Sequence, residues 1–345
     1  MRPIYDCHAH ATELDLKKSI GMLDVMSSIG VERAALLALT YKSTVSNLYL
    51  LDLKRRYGRI KLSVFGMINN RDMYKDIPFE TQARAIMELG CDGIKMMYNP
   101  IARKALGYGV DDERYEKMFS YLEENGIPVI MHVNDPESYW VVRDLTPTEI
   151  ARDWGYFKEG FLSKEEIYDE TFRMLDRHPR LKVVLAHFYF LSRDIDEATR
   201  VMETYPEVCF DLTPGWEMYV GFSEKPEEWR TFFKKYSDRI LFGTDSADDK
   251  RFNAEINLLV RMALERDGEF LMPCYRECTV TGLGLDGETL DKIYYKNYER
   301  LFGNINEVNL PLMREYAERV LSDMKKLKGT SSEGDILWLR DFLGK

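Results

Sequence analysis

A chain of 345 residues with 45% hydrophobic and 31% charged residues can bury one large core. It falls in the size range of a single barrel domain, roughly 200 to over 400 residues. A formal net charge of -10 argues against nucleic acid and anionic membranes as partners, since both reward clustered Lys and Arg, and points to a small molecule instead. No apolar run approaches the ~20 residues of a membrane helix, and since Met1-Arg2 leads straight into strand-like sequence no secretory leader is expected. With five scattered cysteines (Cys7, Cys91, Cys209, Cys274, Cys278), the expectation is a cytoplasmic protein with reduced thiols.

In chain order, short β-rich runs alternate with amphipathic stretches. Strands are expected at 3–8, 33–39, 61–67, 93–97, 128–133, 181–187, 208–212 and 239–243. Helices are expected at 16–28, 45–57, 79–89, 112–125, 164–177, 194–205, 226–236 and 253–266. Runs such as Val183-Val184-Leu185 are apolar throughout, as strands covered on both faces must be. Eight strands, each followed by a helix, predict an α/β fold of the (β/α)8 TIM-barrel type. The rival, a doubly wound open sheet, expects a Gly-rich phosphate loop after the first strand, and that position holds His8-Ala9-His10.

The segment 134–163 is long for a connection and carries Trp140, Arg143, Trp154, Tyr156 and Phe157. Such a loop is either a lid or an aromatic packing element on the rim. Residues 270–345 read as helical, most clearly at 290–302 and 310–327, and Cys274 and Cys278 share a helical spacing. The expected division is a catalytic barrel over 1–303 and a helical extension over 304–345, packed on the barrel or in a dimer. A homodimer is the default for such enzymes.

Only five histidines exist, and four stand at strand ends: His8 and His10 on the first strand, His132 on the fifth and His187 on the sixth. Asp245 stands just past the eighth. In a (β/α)8 barrel all C-terminal strand ends meet at one mouth, which is where active sites lie. The spacing of two in His8-Ala9-His10 matters, because residues i and i+2 of a strand face the same way. Imidazole and carboxylate are the ligands that Zn2+ and, second, Mn2+ accept, so the four strand-end histidines and Asp245 are candidate metal ligands. His178, before the sixth strand, should lie at the opposite end and be structural. Lys95, Tyr98, Asn134, Arg143, Tyr189 and Trp216 follow or end strands and are candidate substrate binders.

Asp6-Cys7-His8-Ala9-His10 resembles the first-strand D-x-H-x-H motif of the amidohydrolase superfamily. Gly93-Ile94-Lys95, Met131-His132, Leu185-Ala186-His187 and Phe242-Gly243-Thr244-Asp245 match its later strands in order. The stretch from Tyr294 to Gly303 looks like the helix that closes the amidohydrolase-related branch, which includes aminocarboxymuconate-semialdehyde decarboxylase, hydratases and lactone hydrolases. The resemblance implies that His8, His10, His132 and Asp245 bind a divalent metal. It implies that Asp245 takes a proton from the attacking water, and that His187 is a catalytic residue or a ligand to a second metal. One metal is the expectation, or two if Lys95 is carboxylated and bridges them. The implied activity is metal-dependent hydrolysis of a small amide, lactone or ester. The alternative is decarboxylation or hydration of an aromatic or dienoic acid. Two departures from the superfamily pattern stand out: His187-Phe188-Tyr189 replaces His-x-Gly, and Ser246-Ala247-Asp248 follows the eighth-strand Asp.

Overall fold

Each short apolar run becomes a strand of one parallel sheet: β1 (Ile4–His10), β2 (Val31–Leu37), β3 (Lys61–Met67), β4 (Gly93–Tyr98), β5 (Val129–Val133), β6 (Val183–Leu185), β7 (Val208–Asp211), β8 (Ile240–Leu241) and β9 (Ser246–Ala247). The computed structural model describes residues 2–70, 74–141, 147, 150, 155–249, 253–326 and 332–344. Neighbours in the sheet follow the chain from β8 back to β1, and β9 then lies on the far side of β1. β8 and β9 are two halves of one eighth strand. The first half pairs with β7 (Phe210 opposite Ile240) and the second with β1 (Ala9 opposite Ser246). Between them the Cys7 amide donates to Phe242 O at 2.9 Å and the Asp245 amide to His8 O at 2.8 Å, closing the ring. The fold is a (β/α)8 barrel, and the doubly wound alternative is excluded.

The break in the eighth strand has a local cause. A Cβ on Gly243 would stand 2.7 Å from Thr213 Oγ1, so glycine lets the chain pass close to the loop that follows β7. Asp245 then takes a φ of 54°, a left-handed turn that costs a non-glycine residue roughly 1–2 kcal/mol. The Thr244 hydroxyl, donating to Asp6 Oδ2 at 2.5 Å, helps hold that turn against β1.

Inward-facing residues fill the barrel. Tyr5, Cys7, Phe65, Ile130, Val184 and Leu241 form one cluster with Tyr298, Leu301 and Phe302. The last three come from the helix Asn297–Phe302, which plugs one end of the barrel. Tyr298 Oη donates to Ser63 Oγ at 3.1 Å, and the Phe302 ring meets Phe65 edge-on at 4.9 Å. With that end filled, the other end is the open mouth, where the C-terminal strand ends lie. The larger apolar cluster lies between the sheet and the surrounding helices.

The helices Leu310–Lys326 and Glu333–Leu343 bury Met313, Ala317, Val320, Leu339 and Phe342 in that outer cluster. Asp335 accepts from Ser43 Oγ at 2.7 Å and from the Thr44 amide at 3.0 Å, tying the C-terminal end to the loop after β2. Among the described residues no helix is long and apolar enough to cross a membrane.

The region expected to be helical from 270 onward contains an antiparallel hairpin, β10 (Asp267–Leu271) and β11 (Thr279–Leu283). Cys274 and Cys278 therefore flank a hairpin tip rather than one helix face. β-branched Thr279, Val280 and Thr281 favour the strand, and Ser223 Oγ caps it by accepting the Thr281 amide at 2.8 Å. Two short helices, Pro100–Leu106 and Trp216–Glu224, were also not anticipated.

Candidate metal centre

His8 and His10 reach the mouth together, as a spacing of two on β1 requires. Their Nε2 atoms are 3.2 Å apart. Asp245 Oδ1 lies 3.3 Å from His10 Nε2 and 3.9 Å from His8 Nε2. Ligand atoms of these three residues all fall within 4.8 Å of one another. His132 stands outside that trio, beside His187, with its Nδ1 3.0 Å from His187 Nε2. His187 bridges the two pairs, its ring centroid 5.5 Å from that of His8 and 4.5 Å from that of His132.

Hydrogen-bond partners decide which nitrogen of each ring carries the proton. His10 Nδ1 faces Leu37 O at 2.9 Å, and His187 Nδ1 faces Thr213 O at 3.1 Å. His132 Nε2 faces Asn134 O at 3.1 Å. A carbonyl only accepts, so each of these nitrogens holds the hydrogen. His8 Nδ1 faces the buried Asp211 carboxylate at 2.8 Å and donates to it. Burial pushes His8 and His187 well below the ordinary imidazole range, so both are neutral near pH 7. In a neutral ring the opposite nitrogen offers a bare lone pair. Those lone pairs face each other in two pairs, 3.2 and 3.0 Å apart. Facing lone pairs repel unless a cation lies among them, and an orienting partner behind each imidazole is the usual support of a metal ligand. The donor set thus fits a divalent ion.

A single sequence profile decides the family: that of the amidohydrolases matches residues 5–304. The chain belongs to the amidohydrolase family. Solved structures agree on the fold. A 2,6-dihydroxybenzoate decarboxylase from Rhizobium is 16% identical with a TM-score of 0.54, covering 88% of this chain and 99% of its own. A 4-oxalomesaconate hydratase from Rhodopseudomonas palustris is 12% identical with a TM-score of 0.50, covering 93% and 99%. An uncharacterized TIM-barrel protein from Bordetella bronchiseptica is 16% identical with a TM-score of 0.55, covering 87% and 98%. No curated protein sequence matches the chain.

In this amidohydrolase, Lys95 is wholly buried, and its Nζ has no hydrogen-bond partner among the described residues. Burial pushes it down to about 8, against the pull of the Asp211 and Asp245 carboxylates. An unpaired buried ammonium is costly. Lys95→Met should therefore raise stability in urea by about 1–3 kcal/mol while harming turnover, the pattern of a group kept for function. A drop in stability together with loss of one bound ion would instead mark Lys95 as carboxylated and bridging.

The other candidate substrate binders separate. Tyr98 is buried on the outer face, its Oη donating to Tyr108 O at 2.7 Å and meeting Glu170 Oε2 at 3.1 Å. Strand alternation explains it, since position 98 is three residues after the inward Lys95. Tyr189 is buried against Tyr168, Phe172 and Phe210, likewise outside the barrel. Neither reaches the mouth. Asn134 Nδ2 donates to Lys164 O at 2.8 Å, so its side chain fixes the next helix, while its carbonyl orients His132. Arg143 lies outside the described residues. Trp216 opens the helix Trp216–Glu224, and its side chain lies outside the description. His178 is buried before β6 against Phe119, with Nε2 3.4 Å from Glu116, as a structural residue would be.

Sequence reading passed over two groups. Asp211, the last residue of β7, accepts from His8 Nδ1, the His187 amide and the Thr213 amide. A carboxylate closing a barrel strand is the one sequence signal that could have found it. The second is the turn His187–Phe190, where four successive residues have φ between 52° and 57°. At roughly 1–2 kcal/mol each, this backbone is strained. Burial offsets it, since a fully buried aromatic side chain contributes about 1.5–3 kcal/mol. Phe188 is buried and sits 4.8 Å from Phe210 and 4.9 Å from Phe222. Tyr168 Oη and Lys164 Nζ pin the turn by donating to Tyr189 O (2.6 Å) and Phe190 O (3.2 Å). The turn leaves Phe190 stacked on His187 at 5.2 Å and 5.6 Å from His132.

Proposed function

We propose that this protein is a metal-dependent hydrolase that cleaves a small amide, lactone or ester at the barrel mouth. The observation that carries this reading is the cluster of His8, His10 and Asp245, with the paired His132 and His187 imidazoles beside it. His8, His10, His132 and Asp245 would hold the ion, Zn2+ first and Mn2+ second by donor chemistry. When bound, such an ion supplies Lewis acidity and brings the pKa of water toward about 7.

The chain's own residues divide the remaining work. The Asp245 side chain is 27% exposed, so it can meet both the centre and an incoming substrate. There it accepts a proton from water and returns it to the leaving group. His187 has its Nδ1 committed to Thr213 O, so its inward Nε2 accepts rather than donates. That makes it a base or a ligand to a second ion, and removes it as an oxyanion donor in the neutral state. Phe190 gives the pocket a flat apolar wall beside both imidazoles.

That wall favours a second reading, a lyase acting on an aromatic or dienoic acid. The Rhizobium and Rhodopseudomonas structures are a decarboxylase and a hydratase, which supports it. The two readings part on a panel of substrates. Zinc-loaded protein should hydrolyse lactones, amides or esters without releasing CO2 from hydroxybenzoates or hydrating dienoic acids. Release of CO2 or hydration with no hydrolysis would overturn the hydrolase in favour of the lyase.

A further inference from the structure

We propose that Asp135 and Tyr156 are positioning residues that hold His132 in place for the metal, an inference that rests on the metal-centre reading above. His132 Nε2 faces Asn134 O at 3.1 Å and Asp135 Oδ1 at 3.3 Å. Asp135 is buried, and its other oxygen accepts the Tyr156 hydroxyl at 2.5 Å. The phenol comes from 21 residues further along the chain. With one oxygen tied to the phenol, the carboxylate cannot swing away from the imidazole. A carboxylate behind a ligating imidazole fixes its orientation and raises its basicity.

Tyr156 is itself held on every described side. Its amide donates to Tyr139 O at 2.8 Å. Its ring packs edge-on to Trp140 at 5.0 Å and lies 5.0 Å from Phe161. Trp140 Nε1 donates to Leu162 O at 3.0 Å, tying the cluster to the start of the helix Lys164–Arg177. Burial, with Asp135 beside it, pushes the Tyr156 phenol up, so it stays a donor. Tyr139, Trp140 and Phe161 thus pack around the Tyr156 ring, and its hydroxyl sets the carboxylate behind His132. This gives the described part of the segment a task at the site.

The test measures zinc release from loaded protein to a chromogenic chelator, beside the unfolding temperature, for Tyr156→Phe, Asp135→Asn, the double variant and Phe342→Ala. Asp135→Asn should weaken zinc binding about 10–100-fold. Tyr156→Phe should speed release several-fold, and adding it to Asp135→Asn should change nothing more, because both act through one contact. Phe342→Ala, on the C-terminal helix and away from the mouth, should lower the unfolding temperature with release at the wild-type rate. The inference is overturned if Tyr156→Phe releases zinc at the wild-type rate, or if the two effects add. Wild-type protein that takes up no zinc would instead overturn the metal-centre reading, and this inference with it.

Discussion

Asp245→Asn should lower turnover on the best substrate by about 10²–10⁴-fold, the range for loss of one general acid–base group. The amide keeps an oxygen near the position of Oδ1, 3.3 Å from His10 Nε2, so bound metal should stay close to the wild-type level. Asparagine cannot take a proton from water at neutral pH, so the loss should fall on kcat more than on KM. The fold should survive, because the link that closes the barrel here is the Asp245 amide to His8 O, a backbone bond. Steady-state kinetics with metal analysis on the same preparation checks this. Turnover within 10-fold of wild type would remove Asp245 from the proton-transfer role.

Asp211→Ala should be the most damaging single change away from the ligands. The carboxylate is completely buried and accepts from His8 Nδ1, the His187 amide and the Thr213 amide, each at 2.8–3.1 Å. Removing it strands three buried donors, at about 1–3 kcal/mol for each one left unmet. The expected loss in urea is at least about 3 kcal/mol, together with a 10–100-fold loss of metal affinity as His8 is freed to rotate. Asp211→Asn keeps the shape and should fall between the two. A stability change below about 0.5 kcal/mol would mean that water or a side-chain shift replaces the carboxylate.

Much of the site was legible because barrel geometry converts order in the chain into place. The strand ends gave His8, His10, His187 and Asp245 a common address, and period-two alternation aimed both β1 imidazoles inward. The same alternation, carried three residues past Lys95, would have turned Tyr98 outward. Tyr189 is different. It lies within a left-handed turn built largely from Phe and Tyr, residues that carry no turn signal, and packing against Phe210 and Tyr168 together with the Tyr168 hydroxyl on its carbonyl holds it there. Asp211 looked like an ordinary strand end because its importance lies in the backbone amides and the imidazole that approach it from other elements. The β10–β11 hairpin was missed because its alternation is short. Leu271 is exposed, and the Cys274–Cys278 spacing imitates a helix. Tyr275, at its tip, donates to Pro214 O at 3.1 Å, next to the carbonyl that orients His187. The hairpin thus reaches the loop behind the candidate metal centre, a relation that no local pattern encodes.

Metal content is the most direct test of the centre. Protein purified without added metal should carry about one divalent ion per chain, or about two if Lys95 is carboxylated. The His8→Ala/His10→Ala variant should carry none, with its far-UV circular dichroism unchanged. An ion that survives the double substitution, or a wild-type chain that neither carries nor takes up zinc, contradicts a shared cation among these side chains.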